Sequence, residues 1–374
     1  MKISKQDALL WMSFFAALPE DEALSVRQQE LVWAILAQIE RAVNARNREQ
    51  MARIPGLKSL EGRTLFVGPA EKFPRGCRSC LLGTGLTSIR KTNHCNVECK
   101  FCYNYGELDD IAPIGEGLWE IGGSRLYEED LDLLLSVQKH PTGVAYVYLE
   151  PFLEIEKYYG IIERFRRAGI HQHMYTNGLL ANAENLKALG EAGLDELRFN
   201  LGASHCADRV IEAMALAKRY IPRVGVETPM TPELYGEFLA KKDRILATGL
   251  DFINCAELHL NPNNIGNYAG EPMYLCHQGY LSPIWSRSLT LKLMEQAGRE
   301  GWPVVVHDCS NMTKLARGLH LAAREGKWFG AGNFACEFDR LPYEVFLPTL
   351  QDEEFPFVEE EELPPGYRPG DLVL

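Results

Sequence analysis

Long apolar runs are missing from this sequence: no uninterrupted stretch approaches the roughly 20 residues that a bilayer-spanning helix requires. The start, Met1-Lys2-Ile3-Ser4-Lys5-Gln6-Asp7, lacks the hydrophobic core of a secretory signal. The expected compartment is therefore the cytoplasm, with no membrane as partner. Cysteine is scarce, ten in 374 residues, too few for a disulfide scaffold and in keeping with a reducing environment. Positive charge is in deficit, 39 Lys and Arg against 51 Asp and Glu, a formal net charge of -12. That balance disfavours nucleic acid and anionic surfaces as partners, because like charge must be overcome before contact forms. Also absent are a glycine-rich phosphate loop, a nucleophile elbow, a zinc-hydrolase helix and an internal repeat, which sets aside the enzyme classes those motifs serve.

What is present is enough apolar sequence, 46% of residues, to bury a large core. From Lys5 to about Met51, Leu24, Leu31, Ile35, Ile39 and Val43 recur near the helical period, which predicts a helical extension over residues 1–75. Further on, short apolar runs alternate with amphipathic stretches. Strands are expected near Leu86 to Lys91, Val144 to Leu149, His171 to Tyr175, Glu196 to Phe199, Arg223 to Val226, Phe252 to Ala256 and Pro303 to Val306. Strand then helix, repeated, is the pattern of a parallel sheet with right-handed crossovers. The expected class is α/β: a partial, open (β/α)6 TIM-like barrel over 76–315. A C-terminal extension over 316–374 ends in an acidic, proline-bearing tail with Glu359, Glu360, Glu361 and Glu362, read as solvated.

The chemistry is carried by Cys95, Cys99 and Cys102 in the run His94-Cys95-Asn96-Val97-Glu98-Cys99-Lys100-Phe101-Cys102-Tyr103. Three thiolates in CxxxCxxC spacing with no fourth cysteine nearby can hold three irons of a 4Fe-4S cluster and leave the fourth iron open. That arrangement suits chelation of S-adenosylmethionine through its amino and carboxylate groups. The bland reading is a zinc knuckle in a non-catalytic binding protein. Zinc sets usually pair cysteines two by two, and His94 adjoins Cys95 too closely to complete a tetrahedron comfortably.

These residues resemble the radical S-adenosylmethionine (radical SAM) superfamily, including the aromatic Phe101 just before the third cysteine. The resemblance implies the partial barrel as fold, a 4Fe-4S cluster and S-adenosylmethionine as cofactors, and an electron donor such as flavodoxin or ferredoxin. It implies Phe101 and Tyr103 beside the adenine. Tyr148-Leu149-Glu150-Pro151 stands where the superfamily commonly has Gly-Gly-Glu-Pro, so Glu150 would face the methionyl ammonium with both glycines replaced. Tyr175-Thr176-Asn177-Gly178 resembles a Thr-Asn-Gly turn after the third strand, which turn chemistry alone would also favour. Asn200 falls where a polar side chain often meets the ribose. Glu227, Glu257 and Arg209 are further strand-end candidates for the barrel mouth, with a rim salt bridge the plainer role for Arg209.

Elsewhere Cys77 and Cys80 form a CxxC, and His307-Asp308-Cys309-Ser310 closes a strand. Together with Glu257-Leu258 these look like an archaeal-type group labelled pyruvate formate-lyase activase-like, over roughly Gly76 to Lys314. Cys77, Cys80, Cys309 and one of Cys276 or Cys336 are candidates for a second cluster or a zinc site. No separate cobalamin domain is evident ahead of the barrel. The expected activity is reductive cleavage of S-adenosylmethionine for hydrogen abstraction from a small metabolite, a peptide or a partner enzyme.

Overall fold

The protein is described here from a computed structural model covering residues 3–84, 86–137, 143–277, 279–324 and 338–357. Cys336 and the acidic run from Glu359 to Glu362 lie outside the described residues. The predicted N-terminal helical stretch forms as two helices, α1 (Lys5–Ala16) and α2 (Val26–Met51). Pro19 falls in the break, where a missing N–H does least harm. Ser25 then restarts the helix through a capping box with Gln28.

A short hairpin, β1 (Lys58–Leu60) and β2 (Thr64–Val67), precedes α3 (Arg75–Leu81), β3 (Leu86–Arg90), and a second hairpin, β4 (Leu118–Ile121) and β5 (Ser124–Tyr127). Helix α4 (Leu131–Val137) leads to repeated strand–helix units: β6 (Gly143–Tyr146) with α5 (Tyr159–Arg167), β7 (His171–Thr176) with α6 (Ala183–Ala192), β8 (Glu196–Phe199) with α7 (Asp208–Ala217), and β9 (Arg223–Pro229) with α8 (Pro232–Ala247). After β10 (Phe252–Ala256) come the hairpin β11 (Met273–Cys276) and β12 (Tyr280–Pro283), α9 (Ile284–Glu300), β13 (Val305–Cys309), α10 (Asn311–Arg324) and α11 (Leu347–Gln351).

Strands β13, β10, β9, β8, β7, β6 and β3 are neighbours in that order, and all pair in parallel. Each new unit adds on the same side of the last, which curls the sheet into a barrel wall instead of an open doubly wound sheet. The barrel stays unclosed: β13 continues into antiparallel β2 and β1, and β3 into antiparallel β4 and β5. The expected partial barrel is therefore present, with the strand anticipated near Pro303 making the parallel set seven.

Side-chain alternation splits each strand between two environments. On β7, Met174 joins the outer hydrophobic core and the Gln172 amide donates to the Ile162 carbonyl of α5 at 2.9 Å. His171, His173 and Tyr175 take the other face and point into the lumen. The outer core packs Ile161, Ile162 and Phe165 of α5, Leu186 and Leu189 of α6, and Val210 and Met214 of α7 against the sheet. Burying each such side chain contributes about 1.5–3 kcal/mol. A second core unites the two ends of the chain: Met12 and Phe15 of α1 and Ile35 and Ile39 of α2 pack with Tyr274, Tyr343, Phe346 and Leu350. No helix among the described residues is long and apolar enough to cross a membrane.

Helix α3 reaches into the barrel against β3, β6 and β7. Gly76 makes this possible, since a Cβ there would meet Nδ1 of His173 at 2.5 Å and Nη2 of Arg198 at 2.8 Å. Both neighbours are buried and have nowhere to retreat. Gly76→Ala is expected to destabilise the protein by about 1–3 kcal/mol, the range for overpacking, as a lowered urea midpoint at unchanged m-value.

Candidate functional site

The loop after β3 carries the three clustered cysteines and is tied down along its length. The Tyr158 hydroxyl accepts from the N–H groups of Thr92 at 3.0 Å and Lys91 at 3.3 Å. The Asn93 side chain accepts from Ile114 N–H at 3.1 Å, and Glu150 N–H donates to the His94 carbonyl at 3.1 Å. Across the cysteines, Cys102 N–H donates to the Cys99 carbonyl at 2.8 Å and Glu98 accepts from Gly106 N–H at 3.0 Å.

A second loop clamps the first from outside. Asn267 donates to the Lys100 carbonyl at 3.0 Å, and Asn261 and Asn263 both donate to the Tyr103 carbonyl, at 2.9 and 3.1 Å. Asn264 donates to the Phe101 carbonyl at 3.4 Å. These asparagines were not singled out from the sequence. Their run, Asn261-Pro262-Asn263-Asn264-Ile265-Gly266-Asn267, reads locally as turn chemistry, and only the fold shows which carbonyls they serve.

Cys95, Cys99 and Cys102 line one cavity of about 340 Å³ together with Phe101, Tyr103, Glu150, Asn177, Asn200, Glu257 and His259. Five of the six residues expected at the cofactor, Phe101, Tyr103, Glu150, Asn177 and Asn200, are thus brought together with the cysteines. Glu227 is not among the lining residues. Its carboxylate instead accepts from Arg198 Nη1 at 2.8 Å, deeper in the lumen. Arg209 is an exposed residue of α7 and does not line the cavity.

Glu150 is the organising acid of this wall. It is 1% exposed; Oε1 accepts from Thr176 Oγ1 at 2.7 Å and Phe152 N–H at 3.1 Å, and Oε2 accepts from Asn177 N–H at 2.7 Å. Burial pushes its pKa up, and the hydrogen bonds from Asn177, Thr176 and Phe152 pull it back. Tyr148 and Leu149 just before it hold φ of 70° and 58°. The left-handed conformation that glycine takes at no steric cost is retained here with side chains, at about 1–2 kcal/mol each. From the end of β7, Asn177 Nδ2 donates to Asn96 Oδ1 at 2.7 Å, joining the strand end to the cysteine loop. Asn200 Oδ1 accepts from Ala203 N–H at 3.1 Å.

Burial raises the pKa of all three thiols, Cys99 to about 12, where Cys102 and Cys95 add to the shift. Without a metal the trio is protonated; metal ligation is what would draw the protons off. Among the described residues the sulfurs do not form a group with ligand atoms within 4.8 Å of one another. One zinc ion, with Zn–S bonds of about 2.3 Å, gathers its sulfurs more closely than that. A cluster, whose irons each take one thiolate, suits the wider spread. The donor set therefore fits three corners of a 4Fe-4S cluster, and no fourth cysteine lines the cavity.

His259 edges both Tyr103 and Tyr280, at centroid distances of 5.5 and 4.8 Å, and burial lowers its pKa to about 3. The folded state thus holds the ring neutral while the unfolded chain takes a proton near pH 6.5. Its contribution to stability is complete above about pH 6.5 and declines as pH falls towards 3. His259→Gln removes that proton uptake, so its urea midpoint is expected to drop less between about pH 7 and 5 than that of the unaltered chain.

Cys77 is buried in the lumen, where its sulfur accepts from Arg198 Nη1 at 3.2 Å and Asn254 Nδ2 at 3.7 Å and lies 3.3 Å from His307 Nε2. Cys80 and Cys309 share this region, and burial raises the pKa of all three thiols. Cys276 is buried in the second core, between the two ends of the chain.

Comparison with known proteins gives findings of three kinds. Residues 89–240 match the family model described as the Radical SAM superfamily. The chain is 29% identical over 209 residues, 52% of either protein, to a Methanocaldococcus jannaschii protein named "Putative glycyl-radical enzyme activating enzyme". It is 28% identical over 140 residues, 35% of this chain and 42% of the relative, to an uncharacterised protein of the same organism. The chain thus spans about half the length of the curated relatives it matches. Among solved structures, SuiB of Streptococcus suis is similar with a TM-score of 0.44 and 11% identity, over 89% of this chain and 71% of that one. The radical S-adenosylmethionine methyltransferase TsrM of Kitasatospora setae gives a TM-score of 0.35 and 16% identity, over 51% and 40%.

Proposed function

The chain is a member of the radical SAM superfamily through its residues 89–240, and on that premise we propose that it is an enzyme that cleaves S-adenosylmethionine to abstract hydrogen from a partner polypeptide. The carrying observation is that Cys95, Cys99 and Cys102 share one cavity with Glu150, Asn177 and Asn200. Cys95, Cys99 and Cys102 would hold a 4Fe-4S cluster. The chemistry such a cluster supplies when bound is one-electron cleavage of S-adenosylmethionine to methionine and a 5'-deoxyadenosyl radical.

This chain's own residues bind and orient. Glu150, fixed by three donors, presents negative charge to the methionyl ammonium. Asn200 would meet the ribose, and Phe101 and Tyr103, which line the same cavity, would supply apolar surface for the adenine. Glu227 acts at one remove, holding Arg198 in the lumen. Flavodoxin or ferredoxin would deliver the electron. A polypeptide substrate is favoured over a small metabolite by the activating-enzyme name of the curated relative.

A second metal centre on Cys77, Cys80 and Cys309 belongs to this reading as well. It rests on their common location near Glu227, with Cys309 near both Cys77 and Cys80. Unchanged iron and zinc content in a Cys77→Ala/Cys80→Ala variant would remove these cysteines from metal ligation. The reading as a whole is tested by mass spectrometry of deoxyadenosine formed anaerobically with deuterated candidate substrates. Deuterium carried from a polypeptide into deoxyadenosine supports the proposal; its transfer only from a small metabolite contradicts the substrate class.

A further inference from the structure

The lumen at the start of β7 and β8 holds a set of side chains that the proposed chemistry does not use. His171 and His173 lie two residues apart on β7 and so share its inward face. Glu196 of β8 stands beside His173 in the parallel register. The three are 4%, 0% and 0% exposed, and each offers a ligand atom within 4.8 Å of the others. Both ring nitrogens of His171, both of His173 and Oε2 of Glu196 are buried without a hydrogen-bond partner. One ligand atom from each residue converges on one spot, and unpaired groups buried this deep cost too much to be idle, since each forfeits about 1–3 kcal/mol.

The geometry points to a divalent transition-metal site formed by His171, His173 and Glu196, with zinc the best match to two imidazoles and one carboxylate. Bonds of about 2.0–2.2 Å to each ligand require the set to draw in modestly. The surroundings are those of a ligand shell. Asp195 Oδ2 lies 3.6 Å from Nδ1 of His171, while Nε2 faces Oε2 of Glu196 at 4.0 Å. A carboxylate behind the imidazole fixes which nitrogen ligates. Arg198 occupies the other oxygen of Glu196 through Nε at 2.7 Å and leaves Oε2 free. Its guanidinium opposes a cation in this layer, but Glu196 and Glu227 already pair with it. Buried among strands, the ion would staple β7 to β8 beneath the cavity, a structural role independent of the cluster.

The test uses the whole chain with Cys95, Cys99 and Cys102, and also Cys77 and Cys80, replaced by alanine, so that neither cluster iron nor the second centre competes, loaded with Zn²⁺ or Co²⁺ and dialysed. About one equivalent of zinc per chain is expected, with a cobalt spectrum of nitrogen and oxygen ligation and no thiolate charge-transfer band. Adding His173→Gln should lower bound zinc at least tenfold. Substoichiometric metal, or retention unchanged by His173→Gln, overturns the site. A thiolate charge-transfer band in this background would move the metal to a remaining cysteine and equally overturn it. Should His173→Gln fail to fold, the cobalt spectrum of the parent protein decides.

Discussion

Replacing Cys99 with alanine is expected to reduce S-adenosylmethionine cleavage to the level of an enzyme-free control while the barrel stays folded. Cys99 is partly exposed in a surface loop held by hydrogen bonds that do not pass through its sulfur, so its loss removes a ligand and little packing. Loss of an outer-shell partner alone costs about 10–100-fold in metal affinity or activity, and loss of a direct ligand should exceed that. Deoxyadenosine formation with excess reductant measures the first half, and circular dichroism with a urea midpoint the second. A variant that folds and still cleaves would remove Cys99 from the ligand set.

The second large effect is expected at Glu150. Glu150→Leu strands the Thr176 hydroxyl and the N–H groups of Phe152 and Asn177 in a buried wall. At about 1–3 kcal/mol for each unsatisfied donor, the loss is at least about 3 kcal/mol of a total near 5–15. Glu150→Gln keeps the shape and one acceptor oxygen but loses the charge. It should cost less stability than leucine while raising the Kd for S-adenosylmethionine by about tenfold or more, the value of one charge-assisted hydrogen bond. Calorimetric titration of the reconstituted protein against a denaturation curve separates the two. Unchanged binding in a folded glutamine variant would leave Glu150 as a purely structural anchor.

Much of the barrel was legible because its signals are local. Strand–helix alternation from Val144 to Ala247 survives almost residue for residue in β6 to α8, since each short strand is followed at close spacing by an amphipathic helical stretch of its own. The cysteine trio was legible because ligand spacing within one loop is a sequence property. Long-range partnerships were not. Nothing beside Glu227 announces Arg198, nor does anything beside Tyr103 announce Asn261, 158 residues away. Tyr148 and Leu149 looked like a departure from a glycine pair, yet the backbone keeps the left-handed turn, because the hydrogen bonds of Glu150 on one side and the strand on the other fix the path. His171, His173 and Glu196 carry no motif; parallel register alone puts the acid beside the imidazoles.

The central claim, that Cys95, Cys99 and Cys102 hold three corners of a cluster with the fourth open, is most directly tested by electron paramagnetic resonance. The sample is the anaerobically reconstituted, reduced full-length protein, with and without S-adenosylmethionine. The account predicts about four irons and four sulfides bound through the three cysteines, and a spectrum that shifts when S-adenosylmethionine is added. A colourless zinc protein, or a cluster signal indifferent to S-adenosylmethionine, would contradict it.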